Sequence, residues 1–354
     1  MTLGLGPGGR TKRGQSPPGT PDGLAPRRTR PVLIWAFLGA LCLALMLYLF
    51  VSWIAFGEAQ SVPTGADPVS GTTQVWAAVF QIGGPIAAAI VLIHVVHRCV
   101  RERRLCLDAM IVIGTTTAWW LDPLINWLRP FVFYNATMVN FGSWSERIPG
   151  WISPNARFLP EPLLMIGLAY VWMTLGFGML ATRAMRAARA RWPQLGVAAT
   201  FGAGWSAVFV LELPLETLAV RTGLVAYPAS IPELTLRAGH TYQVPLYGPA
   251  LWSAVLTGIG ALRFHLDERG FTLVERGIER VTVGARATTL LRTLAVVGFI
   301  HVSAVLAYDL PINLAGLYAG PVDPYPTHLR TQQCGPGTPV GCPGPGVPIL
   351  MKDR

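Results

Sequence analysis

Charge is scarce in this chain: only 13% of its 354 residues are Asp, Glu, Lys or Arg, about half the share of ordinary soluble domains. Lysine is nearly missing, present at Lys12 and Lys352 alone, and the rest of the 28 basic residues are arginine. No Cys-x-x-Cys, His-Glu-x-x-His, phosphate-binding glycine loop or dinucleotide fingerprint occurs. Nucleotide, zinc and haem chemistry therefore have no local support, and no cofactor or metal is expected. No repeat of the kind that marks inverted-topology transporters is visible either.

What is abundant is apolar: 52% of the residues are hydrophobic. Runs long enough to span a bilayer, about 20 residues each, cover roughly 32–56, 74–96, 105–128, 162–182, 195–220, 245–263 and 290–317. The pattern predicts an all-α, polytopic membrane helix bundle of about seven transmembrane helices. Excess Arg and Lys marks cytoplasmic loops. "HRCVRERR", "TRAMRAARARW" and "RFHLDERGFTLVERGIER" fall on one side with the N-terminus, whereas "GEAQSVPTGADPVSGTT" on the other side has no Lys or Arg. The N-terminus is thus read as cytoplasmic and the C-terminus as outside, in a bacterial cytoplasmic membrane, which the arginine bias of a GC-rich genome suits.

The net charge of +10 follows from this topology and from contact with anionic membrane lipids, and nucleic acid is not expected as a partner. Residues 1–30, rich in Gly, Pro and Arg, are expected to be a disordered cytoplasmic tail, 31–317 the membrane domain, and 318–354 a Gly/Pro-rich outer tail. The first apolar run starts too late and runs too long for a signal peptide. Cys42, Cys99 and Cys106 read as small inert residues near the membrane. Cys334 and Cys342 fall on the outer side, where a disulfide could persist.

Carboxylates inside a membrane are costly and usually face a bundle interior or a wet cavity. Asp122, Glu161, Glu212, Glu216 and Asp309 all fall at the outer level of four different helices, and Asp108 is the sole acid at the inner level. Asp122 and Asn126, Glu212 and Glu216, and Asp309 and Asn313 are each four residues apart, so each pair shares a helix face. Pro123, Pro214 and Pro311 lie within these pairs and can kink the backbone. The acids are expected to share one polar cavity beneath the outer surface. Plain structural readings compete: Asp122 and Asn126 as an interfacial helix end within a belt of Trp119, Trp120 and Trp127, and Glu161 as a helix cap. His94, His97, His240 and His265 read as interfacial or loop residues, while His301 alone lies deep in a helix.

The outer loop at 129–160 is too aromatic for a solvated linker. Phe131, Phe133, Tyr134, Phe141, Trp144, Trp151 and Phe158 alternate with Asn135, Asn140 and Asn155, so the loop should fold down as a lid. A milder loop covers 221–246. Acids below and aromatics above suit an amphipathic, lipid-soluble substrate that needs protons moved, by cyclisation or dehydration.

The run "WWLDPLINWLRPFVFYNATMVNFGSW", followed by "IPGW", "SPN" and "PEPLL", resembles the AveC-like membrane spirocyclases of the avermectin pathway, over roughly residues 75–320. The resemblance implies closure of a dihydroxy-ketone to a spiroketal, in some members with dehydration, on a polyketide-like polyol. Our own reading of the residues assigns proton transfer to Asp122, Glu212 or Glu216, and Asp309. Asn126, Asn135 and Asn140 would orient hydroxyls; Tyr134, Trp119, Trp120, Trp144, Trp151, Glu161, His301 and Asn313 complete the candidate substrate-binding set. Two alternatives stand beside it: a terpene cyclase-like enzyme that protonates an alkene or epoxide, and a non-enzymatic transporter or lipid-binding protein.

Overall fold

The computed structural model describes residues 30–350; the expected disordered tail, apart from Arg30, lies outside the described residues. The long helices are α1 (Pro31–Ala55), α2 (Gly71–Glu102), α3 (Leu107–Ala118), α4 (Leu168–Arg191), α5 (Val197–Arg221), α6 (Tyr247–Phe264) and α7 (Ala285–Ala304). Their boundaries follow from local chemistry. Pro31 opens α1, where its missing N–H costs nothing. Ser70 caps α2 by accepting from Thr73 N at 3.1 Å, and α2 ends at Arg103, which takes a left-handed conformation.

Five segments, Pro31–Ala55, Gly71–Glu102, Leu163–Arg191, Val197–Arg221 and Ala285–Ala315, are long and apolar enough to cross a membrane. Ile34, Phe37, Leu41, Ile82, Ile86 and Ile93 on α1 and α2 are exposed, as lipid-facing residues should be. The chain is a multi-pass membrane protein. The other two expected spans form shorter elements: α3 has 12 residues before it tightens into a 3-10 stretch at Trp119–Asn126, and α6 has 18. Both are enclosed rather than peripheral. α3 packs on α2, α4 and α7, and α6 on α4, α5 and α7, so neither needs a full lipid-facing surface.

Glycine permits the closest crossing. A Cβ on Gly39 would lie 2.1 Å from Leu294 O, and one on Gly298 would lie 2.1 Å from Trp35 O, so α1 and α7 touch backbone to backbone. Buried charges lock the end read as cytoplasmic. Asp108, 1% exposed, pairs with Arg98 and Arg263 and so joins α2, α3 and α6. Fully buried Glu275 receives Arg292 Nε at 2.7 Å and closes a capping box with Thr272, tying the loop before α7 to that helix.

Two π-turns interrupt the opposite half. One, Leu163–Gly167, leads into α4; the other, Val305–Asp309, joins α7 to α8 (Leu310–Ala315). Above them the 129–160 loop folds down as expected, with Phe131, Val132, Phe133 and Met138 buried. It is held by a short ladder in which β1 (Phe133–Tyr134) pairs antiparallel with β2 (Val225–Ala226), linking the loops after α3 and α5. A second ladder joins β3 (Thr235–Leu236) to β4 (Val244–Pro245). The C-terminal segment is ordered against this lid: Leu329 in α9 (Thr327–Arg330), and Cys334 and Val340 after it, pack with Phe133, Ala226 and Tyr325. Cys334 and Cys342 are joined as a disulfide.

Candidate functional site

Beneath the lid lies a cavity of about 130 Å³. Asp122 and Tyr134 form one wall, Glu212, Glu216 and Tyr227 another, and Tyr170 and Tyr308 lie between; Met165, Trp172 and Trp252 contribute apolar surface. Three of the acids singled out in the sequence therefore open on one space, although they come from α5 and from the 3-10 stretch after α3. Pro123 sits inside that stretch, next to Asp122, which is buried.

Each Asp122 oxygen accepts a phenol: Tyr134 OH donates to Oδ2 at 2.8 Å and Tyr170 OH to Oδ1 at 3.0 Å. Two donors favour the charged carboxylate. Glu161, 2% exposed, has no hydrogen-bond partner at either oxygen among the described residues, and it lies close enough to Asp122 for the two to interact. Two buried carboxyl groups this close resist ionising together, and the phenols on Asp122 favour keeping the proton on Glu161. Burial first, then the charge of Asp122, push Glu161 well above the usual carboxylate range. Glu161 does not line the cavity, and the turn that follows it carries no side-chain capping bond; its neighbour is Asp122.

Across the cavity, Tyr227 OH donates to Glu216, while Glu212, 4% exposed, has an Oε2 with no partner among the described residues. Burial is the first cause that raises the Tyr134 and Tyr227 phenols well above their ordinary value, with Asp122 and Glu216 next. Both tyrosines thus remain donors. Asp309 is buried in its π-turn, close enough to Asp122 to interact with its charge, but it is absent from the cavity lining. The expectation that Asp309 opens into the same space is corrected: Tyr308 takes that place.

The asparagines serve the backbone. Asn126 Oδ1 accepts Phe131 N and Val132 N at 2.8 and 2.9 Å. Asn135 Oδ1 accepts Thr137 N and its Nδ2 donates to Gly223 O. Asn140 Oδ1 accepts Val62 N and Gly142 N, its Nδ2 donating to Met138 O. Asn313 donates to Leu124 O and accepts Leu128 N. None lines the cavity, because an irregular loop folded into a membrane protein has buried amides that must be satisfied. These hydrogen bonds shape the loop above the cavity.

The tryptophans likewise build the scaffold. Trp144 packs edge-on against Trp119, Phe50 and Trp53, with centroids at 5.0, 4.8 and 5.6 Å, and its Nε1 donates to Trp120 O. Trp151 Nε1 donates to Ser153 O. Trp120 packs edge-on against His301, whose Nε2 lies 3.4 Å from Thr117 Oγ1. Trp119, Trp120, Trp144, Trp151 and His301 thus form an aromatic mass beside α1, away from the cavity. Besides Tyr134 and Tyr227, the cavity aromatics are Phe80, Tyr170, Trp172, Trp252 and Tyr308, which sequence reasoning missed. One signal was present: Tyr170 sits about two turns inside a helix whose approach carries Glu161, and a buried phenol needs a polar partner.

A family model described as "Spirocyclase AveC-like" matches residues 102–332. No curated protein and no solved structure matches the chain.

Proposed function

The chain belongs to the AveC-like spirocyclase family, and from that premise we propose that it is a membrane-embedded cyclase acting on a lipid-soluble, polyketide-like hydroxy-ketone. In this reading the bundle crosses a bacterial cytoplasmic membrane seven times, with α3 and α6 as enclosed crossings and the N-terminus in the cytoplasm. Asp122 is the base. It takes the proton of an alcohol as that oxygen attacks the ketone carbon, while Glu212 delivers a proton to the carbonyl oxygen to give a hemiketal. A second alcohol then attacks the same carbon as the hemiketal C–O bond breaks. Asp122 gives the proton it gained to the departing hydroxyl, which leaves as water, and Glu212, which lost a proton in the first step, takes the proton of the second alcohol. The spiroketal forms and both carboxyl groups return to their starting states. Glu161, which keeps its own proton, leaves Asp122 as the ionised member of the pair, and Tyr134 and Tyr170 hold Asp122 in position. Apolar walls exclude bulk water, which would otherwise compete with the attacking alcohol.

The observation that supports this reading is the carboxylate held by two phenols, facing a separate glutamate pair across an apolar cavity. It also favours an enzyme over a transporter. At the opposite end Asp108 is engaged by two arginines and offers no second proton station.

The test compares lipid extracts, by mass spectrometry, from cells carrying the wild type, Asp122→Asn, or no protein. The proposal expects a precursor, heavier than the product by one water, to accumulate in the last two, with turnover lowered at least about 100-fold by loss of the base. An unchanged set of compounds, with one redistributed between cells and medium, would favour transport.

A further inference from the structure

A second cavity, of about 230 Å³, lies at the outer rim between the start of α2 and the end of α5. Its character is opposite to that of the acid chamber. Thr72, Thr73, Thr222 and Thr241 bring hydroxyl groups, and Arg221 and His328 bring nitrogen donors. Arg221 has no carboxylate partner in an ion pair among the described residues, and its guanidinium lies 4.5 Å from the centre of the Tyr242 ring. His328 is only 7% exposed, yet its Nδ1 has no hydrogen-bond partner among the described residues. The neighbouring acid, Asp67, is already engaged by Thr327 N at 2.7 Å. The N-terminus of α2, with its partial positive charge, opens on the same space.

The two cavities follow one line. Val225 borders both, Phe80 in the acid chamber lies two turns along α2 from Thr73, about 10 Å, and Ala219 and Leu215 continue down α5 from Thr222. The space between α2 and α5 is therefore basic and hydroxylated at the rim, and apolar and acid-bearing below. An amphiphile lying along it would place a polar end at Arg221 and its apolar length under the lid.

We infer that the rim cavity is a binding subsite for an anionic oxygen group, a carboxylate or a phosphate, at the polar end of an amphiphile whose apolar part enters the acid chamber. The inference rests on the cyclase reading only in taking that amphiphile as substrate; a membrane lipid headgroup presents the same chemistry. Arg221 supplies charge, while Thr73 and His328 fix the oxygens in place; the Thr222 hydroxyl is already donated to Leu218 O.

The full chain is purified in a maltoside detergent, which carries neither phosphate nor carboxylate. Tryptophan fluorescence is followed on titration with oleate, with oleyl alcohol, and with a short-chain phosphatidate. For at least one of the two anions, affinity falls about tenfold in Arg221→Gln and is retained in Arg221→Lys, while oleyl alcohol binds all three proteins alike. Oleate as the tighter ligand assigns the site to a carboxylate amphiphile, and phosphatidate as the tighter one assigns it to a lipid headgroup. Equal binding of both anions by wild type and Arg221→Gln overturns the inference and leaves the cyclase reading untouched. A negative Asp122→Asn metabolite result, conversely, leaves the binding result intact.

Discussion

Glu161→Gln separates the proton on the buried carboxyl pair from the shape of the pair. The amide occupies the same volume and still presents an N–H to Asp122, but it cannot ionise. In the wild type the folded chain keeps a proton on Glu161, because burial and Asp122 raise its pKa, whereas the unfolded chain releases that proton above about pH 4.3. A group whose folded pKa is raised contributes stability that is full below its unfolded pKa and is lost as pH rises towards the folded one. One retained proton gives a slope of about 1.4 kcal/mol per pH unit. Unfolding free energies of both proteins are to be measured in mixed micelles at pH 5, 6 and 7, using loss of tryptophan fluorescence. Taking the difference between the two cancels the other titrating groups. Glu161→Gln should gain on the wild type by about 1.4 kcal/mol for each unit over which Glu161 stays protonated. A difference that stays flat across this range refutes the retained proton on Glu161.

Two further outcomes test the frame around the site. Gly298→Val sets a side chain where Trp35 O lies 2.1 Å from the new Cβ, so α1 and α7 must part; thermal unfolding in detergent should show a loss of about 3 kcal/mol or more. Cys334→Ser removes a bridge with a sequence separation of 8, worth about 2 to 3 kcal/mol by loop closure; limited proteolysis should cut the C-terminal segment sooner while the bundle stays intact.

The helices were legible because apolar runs are long and uninterrupted, and the acids because a carboxylate in such a run has few cheap explanations. Asp122, Glu212 and Glu216 met in one cavity for that reason. Asp309 did not, since its π-turn shifts the helix face in a way that regular spacing cannot show. Asn126, Asn135 and Asn140 misled because an asparagine that satisfies loop amides and one that binds a substrate have the same sequence signature. Trp119, Trp144 and Trp151 stood out by density, yet density marks packing as readily as binding. Tyr170 and Tyr308 were hidden in apolar helices, where a lone phenol reads as one more large side chain. The β1–β2 ladder joins residues about 90 positions apart, and nothing local announces such a pairing.

The π-turn in the last long helix has a wider meaning. Buried positions along it run through Val297, Ile300, His301 and Ala304, then resume at Asp309, Ile312 and Asn313. The step from 304 to 309 is one residue longer than a regular helix turn allows, about 100° of rotation. The widened turn acts as a phase shifter: the first half keeps its seam on α1 and α3, while the second turns a new seam towards Asn126 and the lid. Two surfaces that one straight helix could not satisfy together are served by a single extra residue. Chamber geometry in this architecture is thus adjustable by helix length, through insertion or deletion of one position, without changing any residue that lines the chamber.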